Sequence, residues 1–181
     1  MRKIGENILF KGKWLSIKES VYINESGEEV RWESVDRSNS TNVVSVMAKM
    51  VPSGRIILIR QFRPSIDNFV IGFPAGLYSN EDPEEHALHE LLEETGYTGK
   101  VTSRSPLLKT NAGTADTNMV IVCAEVDETL PVNQNPKQNL EPAEEIEVLL
   151  LHPSEIKDFI TKEVEKGTSI GPGIWYFAIS L

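Results

Sequence analysis

This sequence has few cysteines and no long apolar runs, the features that would mark a disulfide-rich or a membrane protein. Its 181 residues include one cysteine, Cys123, within the apolar run 119–126, so no disulfide can form inside the chain and we expect a buried, inert thiol. Nowhere do eighteen apolar residues follow one another, and the first ten residues lack the continuous apolar core of a signal peptide. We therefore expect a cytoplasmic protein without a membrane segment.

Basic residues are also in short supply. The chain has 18 Lys and Arg against 27 Asp and Glu, a formal net charge of -9. Because nucleic-acid binding rests on a basic surface, we expect no nucleic-acid partner, and an acidic protein that handles phosphates would need metal ions. The hydrophobic fraction of 40% and the length suit one globular domain, alone or with a small extra subdomain.

Alternation of apolar and polar residues predicts strands along much of the chain. Leu15–Ile23 and Glu29–Arg37 form a predicted hairpin around the turn 24–27, which we assign to an N-terminal antiparallel β subdomain, residues 1–40. The second predicted domain, residues 41–181, contains strands over 43–50, 55–61, 69–73, 101–108, 119–126 and 145–151.

Two helices are predicted among these strands. The first has Asp82 as N-cap, Pro83 at the first helical position and Gly96 at its end. The second covers 153–166 and has its apolar residues on one face, whereas the Pro-, Asn- and Gln-rich segment 127–142 predicts a mobile loop. Strands with interspersed helices indicate an α+β fold in which the first helix lies on the sheet.

Three carboxylates crowd one turn of the first helix. Glu90, Glu93 and Glu94 are spaced i, i+3 and i+4, where like charges repel one another unless a cation lies between them. The donors are oxygens, without a cysteine cluster or a histidine pair at zinc spacing, which favours Mg²⁺, with Mn²⁺ as a substitute. An acidic helix face that is simply solvated is the alternative.

The residues around these glutamates resemble the Nudix box, G-x5-E-x7-R-E-U-x-E-E-x-G-U, in which U is a bulky apolar residue. Gly76, Glu81 and the run 89–97 carry the resemblance. Two positions depart from the pattern, because the loop from Gly76 to Glu81 is one residue short and His89 replaces an arginine. In the family this arginine supports the carboxylates, and a histidine there predicts lower or pH-dependent metal affinity or rate.

Segments outside the box are similar to the ADP-sugar pyrophosphatase branch of the Nudix superfamily. They are 12–14, 32–35, 60–64 and 73–77. The resemblance implies a Nudix fold, an α/β/α sandwich around a mixed sheet with the N-terminal β subdomain. It also implies a homodimer in which this subdomain contacts its neighbour and the adenine slot is shared.

The same resemblance implies roles for individual residues. Glu90, Glu93 and Glu94 would bind metal with the Ala75 carbonyl. Trp14 and Trp32 would stack on adenine. Arg37 and Arg63 would contact the phosphates or the terminal ribose. Gly113 would lie in a loop that closes over the substrate from the other subunit. Taken alone, the tryptophans could equally be core or dimer contacts and the arginines solvated.

A general base is needed besides the metal ligands, since something must orient or deprotonate the attacking water. By the resemblance this base is Glu144, with Glu141 and Glu145 as alternatives if the loop is shifted, or a plain acidic loop. The function implied is Mg²⁺-dependent hydrolysis of ADP-ribose to AMP and ribose 5-phosphate. The alternatives are another nucleoside diphosphate substrate, or a weakened module that binds ADP-ribose without turnover.

Overall fold

The computed structural model of the protein describes residues 1–40 and 42–180. The chain divides into two compact units. The smaller unit comprises residues 1–43, 77–80 and 106–120, and the larger comprises 44–76, 81–105 and 121–181. The predicted domain boundary between residues 40 and 41 stays a prediction, and Thr41 itself lies outside the described residues.

The described residues form twelve strands and four helices. The strands are β1 Arg2–Lys11, β2 Leu15–Ile23, β3 Glu29–Arg37, β4 Asn42–Val51, β5 Ile56–Arg63, β6 Asn68–Gly72, β7 Ala75–Tyr78, β8 Lys100–Arg104, β9 Leu108–Lys109, β10 Asn118–Asp127, β11 Ile146–Leu151 and β12 Ser169–Ile170. The helices are α1 Pro83–Thr95, α2 Pro131–Gln134, α3 Pro153–Glu165 and α4 Pro172–Ile179.

An antiparallel sheet of three strands, β1, β2 and β3, dominates the smaller unit. β2 and β3 pair without a break from Leu15 opposite Arg37 to Ile23 opposite Glu29, so the predicted hairpin is present with its predicted bounds. The segment 110–117 lies beside β3 in the same unit. The Val35 amide donates to the Thr114 carbonyl at 2.8 Å, and Val35 forms a parallel bridge with Ala115.

The second sheet is mixed and has nine strands among the described residues. Its order is β12-β6-β5-β4-β10-β8, with β11 beside β5, β7 beside β4 and β9 beside β10. β12 runs parallel to β6, whereas β5 is antiparallel to β4, β6 and β11. Four consecutive residues of β5, Ile56–Ile59, are buried, as expected of a strand covered on both faces.

An apolar core of the larger unit lies where α3 and α4 pack on this sheet. Ile156 and Ile160 of α3 are fully buried against Leu58 and Ile71, together with Ile174 of α4. Their spacing of four residues places both α3 side chains on one helix face, which is the face that the sequence predicted. Within residues 1–40 and 42–180, no helix is long and apolar enough to cross a membrane.

The best-marked helix of the sequence, α1, has the predicted ends. Asp82 is its N-cap and accepts a hydrogen bond from the Glu84 amide at 2.8 Å, and Pro83 occupies the first turn. Gly96 ends the helix in the left-handed region, with φ of 77°, and its amide donates to the Leu92 carbonyl. A Cβ at Gly96 would lie 2.3 Å from the Lys137 amide nitrogen, so both the backbone conformation and the close approach require glycine.

Other parts of the chain differ from the prediction. The predicted strand 101–108 is two strands, β8 and β9, and β1 and α4 were not predicted. The segment 127–142, expected to be a mobile loop, is irregular except for the end of β10 and the short helix α2, and Asn133 within α2 is buried. The Asn133 side chain accepts from the Thr98 amide and donates to the Thr98 and Asp127 carbonyls, which satisfies it and fixes the segment.

Candidate active site

Helix α1 presents a buried face that includes a carboxylate. Ala87, Leu91, Glu94 and Thr95 are its buried residues, whereas Leu92 is 42% exposed. The buried positions follow the i, i+4, i+7, i+8 spacing of one helix face. Glu94 therefore lies on the core side of the helix. Glu90 and Glu93 lie next to this buried face, so the three glutamates do not form one solvated face.

Glu94 is held at the junction of α1 and β7. Its side chain is 1% exposed, and Oε2 accepts a hydrogen bond from the Ala75 amide at 2.9 Å. Burial raises the pKa of Glu94 to about 8, because the loss of hydration outweighs the Ala75 hydrogen bond and the nearby Arg63 charge. The charges of Glu90 and Glu144 act in the same direction as burial. A buried acid of this kind is destabilised when ionised, and a cation at the site would offset that cost.

Glu90 lies against the backbone of β7. A Cβ built on Gly76 would lie 1.9 Å from Glu90 Oε1, so only glycine leaves room for this carboxylate. On its other side, His86 Nε2 lies 2.9 Å from the same oxygen. Desolvation raises the pKa of Glu90, the His86 contact opposes the rise, and the charges of Glu93 and Glu144 add to it.

Glu93 is the most accessible of the three helix glutamates. Its Oε2 lies 3.2 Å from Nδ1 of His89, whose side chain is 65% exposed. The Glu93 backbone carbonyl accepts from the Asn139 amide at 2.9 Å, which attaches the segment after α2 to the end of the helix. His89 therefore contacts one box glutamate, but from a solvated position where the interaction is weak.

The segment 138–145 brings a fourth carboxylate to the helix. Gln138 Nε2 donates to the Glu94 carbonyl and, at 3.1 Å, to the Ile146 carbonyl, so it links the end of α1 to the start of β11. A turn follows in which the Glu144 amide donates to the Glu141 carbonyl, and Glu144 Oε2 accepts from the Glu141 amide, each at 3.0 Å. The Glu144 charge raises the pKa of both Glu90 and Glu94, which places it near the helix carboxylates.

The two alternatives to Glu144 are placed differently. Glu141 is exposed on the turn. Glu145 lines a separate cavity of about 440 Å³, together with Arg60, Glu147 and Glu163. Among the three candidates, Glu144 is the one whose charge is, after burial, among the leading causes of the raised pKa of both Glu90 and Glu94.

The larger unit thus gathers most of the predicted catalytic and metal-binding residues. Ala75 contacts Glu94 directly, and Glu90 and Glu93 lie on the same helix as Glu94. The charges of Glu144 and of exposed Arg63, at the end of β5, act on the pKa of Glu94. The four carboxylates outnumber the one guanidinium, so the site carries a net negative charge, and part of that charge is on buried side chains.

The predicted substrate residues of the smaller unit form two groups. Trp32, in the middle of β3, donates from Nε1 to the Gly113 carbonyl at 3.1 Å, so these two are brought together. Trp14 lies by the end of β3, since its carbonyl accepts from the Ser38 amide, and it is therefore close to Arg37. Both indoles are well exposed, Trp14 at 60% and Trp32 at 58%, and neither belongs to a core.

The two tryptophans are not neighbours within one chain. Trp32 pairs with Ser20, and Arg37 pairs with Leu15, the residue after Trp14. At about 3.4 Å per residue, the five positions from Trp32 to Arg37 correspond to roughly 17 Å along the strand. The structure therefore separates the two indoles that the sequence assigned to one base.

The donor set of the larger unit suits a hard divalent cation. Among residues 1–40 and 42–180, no three His, Cys, Asp or Glu side chains already converge as a metal cluster, because each helix glutamate is turned to a protein partner. The buried, mutually repelling carboxylates with raised pKa values nevertheless fit Mg²⁺ or Mn²⁺, whose preferred ligands are oxygens.

Comparison with known families identifies this arrangement. The sequence model of the NUDIX domain matches residues 39–168, which include the helix carboxylates and the Glu144 turn. The chain belongs to the Nudix family. It is accordingly a Nudix hydrolase that acts on a pyrophosphate linkage, and members of this family use divalent metal ions.

Several characterised Nudix proteins are similar to this one over most of its length. ADP-ribose pyrophosphatase of Saccharomyces cerevisiae is 34% identical over 164 residues, which are 86% of this chain and 71% of the yeast protein. ADP-sugar pyrophosphatase of Mus musculus is 30% identical over 154 residues, 81% of this chain and 71% of the mouse protein. ADP-ribose pyrophosphatase of Bacillus subtilis is 30% identical over 149 residues, 82% of this chain and 76% of the bacterial protein.

The fold also matches a solved structure. The crystal structure of an ADP compounds hydrolase superposes with a TM-score of 0.66, covering 89% of this chain and 84% of that one, at 17% sequence identity. The predicted α+β Nudix fold with an N-terminal antiparallel sheet is confirmed, as is the resemblance to the family and to its ADP-ribose and ADP-sugar pyrophosphatases.

Two residues of the site escaped the sequence analysis. His86 was not assigned any role, although it precedes Glu90 by four residues, a spacing that places both on one helix face. Gln138 was included in the supposed mobile loop, and its two carbonyl contacts depend on a tertiary arrangement that no local pattern shows. The helical spacing of His86 and Glu90 can be read from the sequence, whereas the contacts of Gln138 cannot.

Replacing Gly76 by alanine should impair hydrolysis without unfolding the protein. Its φ is outside the left-handed region, so the backbone accepts alanine, but the new Cβ would displace the Glu90 carboxylate. We expect Mg²⁺-dependent pyrophosphatase activity to fall by about 100-fold, as for comparable misplacements of active-site groups, while the melting temperature changes little. Gly72→Ala is the control, since a Cβ there meets no atom within 4 Å. Equal activity of the two variants would show that the position of Glu90 is immaterial.

Glu94 should make the metal-free protein less stable as the pH rises. Its pKa is about 8 in the folded protein against 4.5 as the ordinary value, so its protonation stabilises the fold below about pH 4.5 and this contribution is lost towards about pH 8. Glu94→Gln mimics the protonated acid. In urea unfolding with a chelator, the variant should gain stability relative to the parent between about pH 5 and about pH 8. A difference that does not change with pH would contradict the assignment.

Proposed function

We propose that this Nudix hydrolase cleaves the pyrophosphate of ADP-ribose, or of a related ADP-sugar, to give AMP and a sugar 5-phosphate. The observation that carries the proposal is the group of buried and half-buried carboxylates in the larger unit, Glu90, Glu94 and Glu144 with Glu93 beside them. The ADP-ribose and ADP-sugar pyrophosphatases that are at least 30% identical to the chain support the substrate.

The helix glutamates are proposed to hold Mg²⁺, with Mn²⁺ as a substitute, together with the Ala75 carbonyl. Ala75 is already joined to Glu94 through its amide, which brings its backbone to the carboxylates. A divalent ion held by these residues would supply positive charge against the diphosphate and would make water a better nucleophile. Arg63 then faces the substrate as a guanidinium that can pair with phosphate oxygens through two parallel hydrogen bonds.

Glu144 is proposed as the general base. The oxygen of the attacking water adds to one phosphorus of the diphosphate, the bridging P–O bond breaks, and the water proton passes to the Glu144 carboxylate. The turn at 141–144 positions this side chain, because the Glu141 amide holds one of its oxygens at 3.0 Å. A carboxylate on a loop attached to α1 by Gln138 and Asn139 can keep a fixed distance from the helix glutamates.

The smaller unit is proposed to bind the nucleoside part of the substrate. Exposed Trp14 and Trp32 offer faces on which adenine stacks, and Arg37 beside Trp14 and Gly113 beside Trp32 complete the two groups. Because these groups are separated along β3, we infer that one base contacts Trp14 of one chain and Trp32 of another. This arrangement requires the homodimer that the family resemblance implies.

Glutamate-to-glutamine variants test the base. With ADP-ribose and Mg²⁺, AMP and ribose 5-phosphate should form, and Glu144→Gln should lower kcat by about 100-fold or more, as is typical for loss of a general base. Glu141→Gln and Glu145→Gln are matched controls from the same turn and should keep activity within a few-fold. Collapse of either control, with Glu144→Gln active, would move the base to that residue.

The same assay separates the proposal from its alternatives. A panel of other nucleoside diphosphate derivatives and dinucleotides is run beside ADP-ribose. If the protein hydrolyses one of these compounds faster than ADP-ribose, the proposed substrate is wrong but the proposed pyrophosphatase reaction stands. Tight ADP-ribose binding without turnover of any compound would instead indicate a binding module.

Mixing two tryptophan variants tests the shared adenine slot. Homodimers of Trp14→Ala and of Trp32→Ala each lack one indole at both sites, and we expect their KM for ADP-ribose to rise about tenfold or more, in keeping with about 1–3 kcal/mol for a stacked base. After subunit exchange, a mixed dimer has one site with both indoles and should recover wild-type KM at half of its sites.

The third tryptophan provides the control for that experiment. Trp175, on α4 of the larger unit, is 45% exposed, so Trp175→Ala removes a comparably accessible indole and should leave KM unchanged. If the mixture shows no recovery although sedimentation demonstrates exchanged dimers, each chain builds its own adenine site. A monomer at all concentrations would exclude the shared slot outright.

A further inference from the structure

His86 and Glu90 form the most enclosed side-chain pair of the candidate site. Nε2 of His86 lies 2.9 Å from Oε1 of Glu90, and the two side chains are only 16% and 15% exposed. The pair is spaced i, i+4 on α1, where side chains meet on one face, so the contact follows from the helix itself. In a half-buried setting a close polar contact of this kind orients a carboxylate more firmly than a solvated ion pair does.

The Glu90 carboxylate is confined from the opposite side as well. The absent Cβ of Gly76 leaves the space that Oε1 and Oε2 occupy, at 1.9 and 2.5 Å from where that Cβ would be. The carboxylate therefore lies between the β7 backbone and the His86 ring. A group held on two sides loses little rotational freedom when it binds an ion, which is the benefit of a preorganised ligand.

The second histidine of the helix makes a different contact. His89 lies at the position where the Nudix box has its arginine, but its ring is 65% exposed and contacts Glu93, whose side chain is 25% exposed. The rings of His86 and His89 are stacked with centroids 6.1 Å apart, so they form one face of the helix. The enclosed member of this pair is His86, at a position that the box pattern leaves unspecified.

We propose that His86 is the positioning residue for Glu90, and that it supplies from position 86 the carboxylate support that the box arginine would supply from position 89. The proposal rests on the proposed function, in which Glu90 binds a divalent ion. His86 acts through Glu90 and touches neither substrate nor metal. The contact engages Oε1 and does not involve Oε2, so the carboxylate retains a second oxygen for a ligand role.

The support does not depend on the ionisation of the imidazole. The Nε2–H bond exists both in the neutral tautomer protonated at Nε2 and in the imidazolium, so either form can donate to Oε1. A glutamine at position 86 can place an amide N–H at about the same distance from the backbone. His86→Gln therefore preserves the donor, whereas His86→Ala removes it.

Metal binding is the decisive measurement, made by calorimetric titration of the full-length protein with Mn²⁺ and with Mg²⁺ in the absence of substrate. We expect His86→Ala to weaken binding by about 10- to 100-fold, the usual cost of losing a partner that orients a metal ligand, and His86→Gln to restore most of it. Glu85→Gln, at the exposed neighbouring position, is the control and should bind as the parent does. Circular dichroism confirms that each variant is folded.

A second readout uses the metal-free protein. The ¹⁵N shifts of the His86 ring should report a protonated Nε2 in the parent and should change in Glu90→Gln, whereas those of solvated His89 should change little. A merely structural histidine would not respond to Glu90. Wild-type affinity in His86→Ala, or equal losses in the alanine and glutamine variants, would overturn the proposal.

These outcomes are separable from failure of the proposed function. If the parent binds Mn²⁺ but does not hydrolyse ADP-ribose, the substrate is wrong, and the ranking of the position 86 variants still decides the role of His86. In an active parent, His86→Ala should raise the Mg²⁺ concentration needed for half-maximal rate by the same 10- to 100-fold, with KM for ADP-ribose at saturating Mg²⁺ unchanged. A change confined to KM would contradict a role through Glu90.

Discussion

The burial of one carboxylate governs the arrangement of the larger unit. Glu94 lies on the core face of α1, where it is 1% exposed, and the Ala75 amide is the donor that makes this burial tolerable. A buried acid must be neutral, paired or bound to a cation. Around it the chain places further negative charge on Glu90 and Glu144, which outweighs the positive charge of Arg63. The repulsion within this cluster lowers the stability of the fold, and it favours the binding of divalent cations.

The surrounding elements keep this unfavourable group in place. Asp82 and Gly96 define the two ends of α1, and Leu91 anchors its middle in the core, so the helix cannot shift to release its glutamates. The close approach of Lys137 to Gly96 and the two carbonyl contacts of Gln138 attach the following segment to the helix end. The stability of the unit is supplied elsewhere, by the apolar core of α3, α4 and the sheet.

The sequence predicted those parts of the fold and site that local signals define. The ends of α1 follow from Asp82, Pro83 and Gly96, and the hairpin follows from alternation, because each depends on neighbouring residues only. β1 was missed because nearly all its side chains are exposed and carry no clear alternation, and α4 because its eight residues are almost uniformly apolar. The core-facing position of Glu94 could not be predicted, since a carboxylate normally marks the solvated face. Contacts such as that of Trp32 with Gly113, 81 residues apart, lie beyond any local pattern.

The distribution of the tryptophans also determines what spectroscopy can report. Trp14 and Trp32 belong to the smaller unit and Trp175 to the larger, and all three indoles are between 45% and 60% exposed. Intrinsic fluorescence of the native protein will therefore already resemble that of solvated indole, and unfolding will shift its wavelength little. A planar ligand that covers an indole changes this signal far more. Variants that keep one tryptophan therefore let fluorescence report on one unit at a time. Trp14 or Trp32 reports on the smaller unit, and Trp175 reports on the larger.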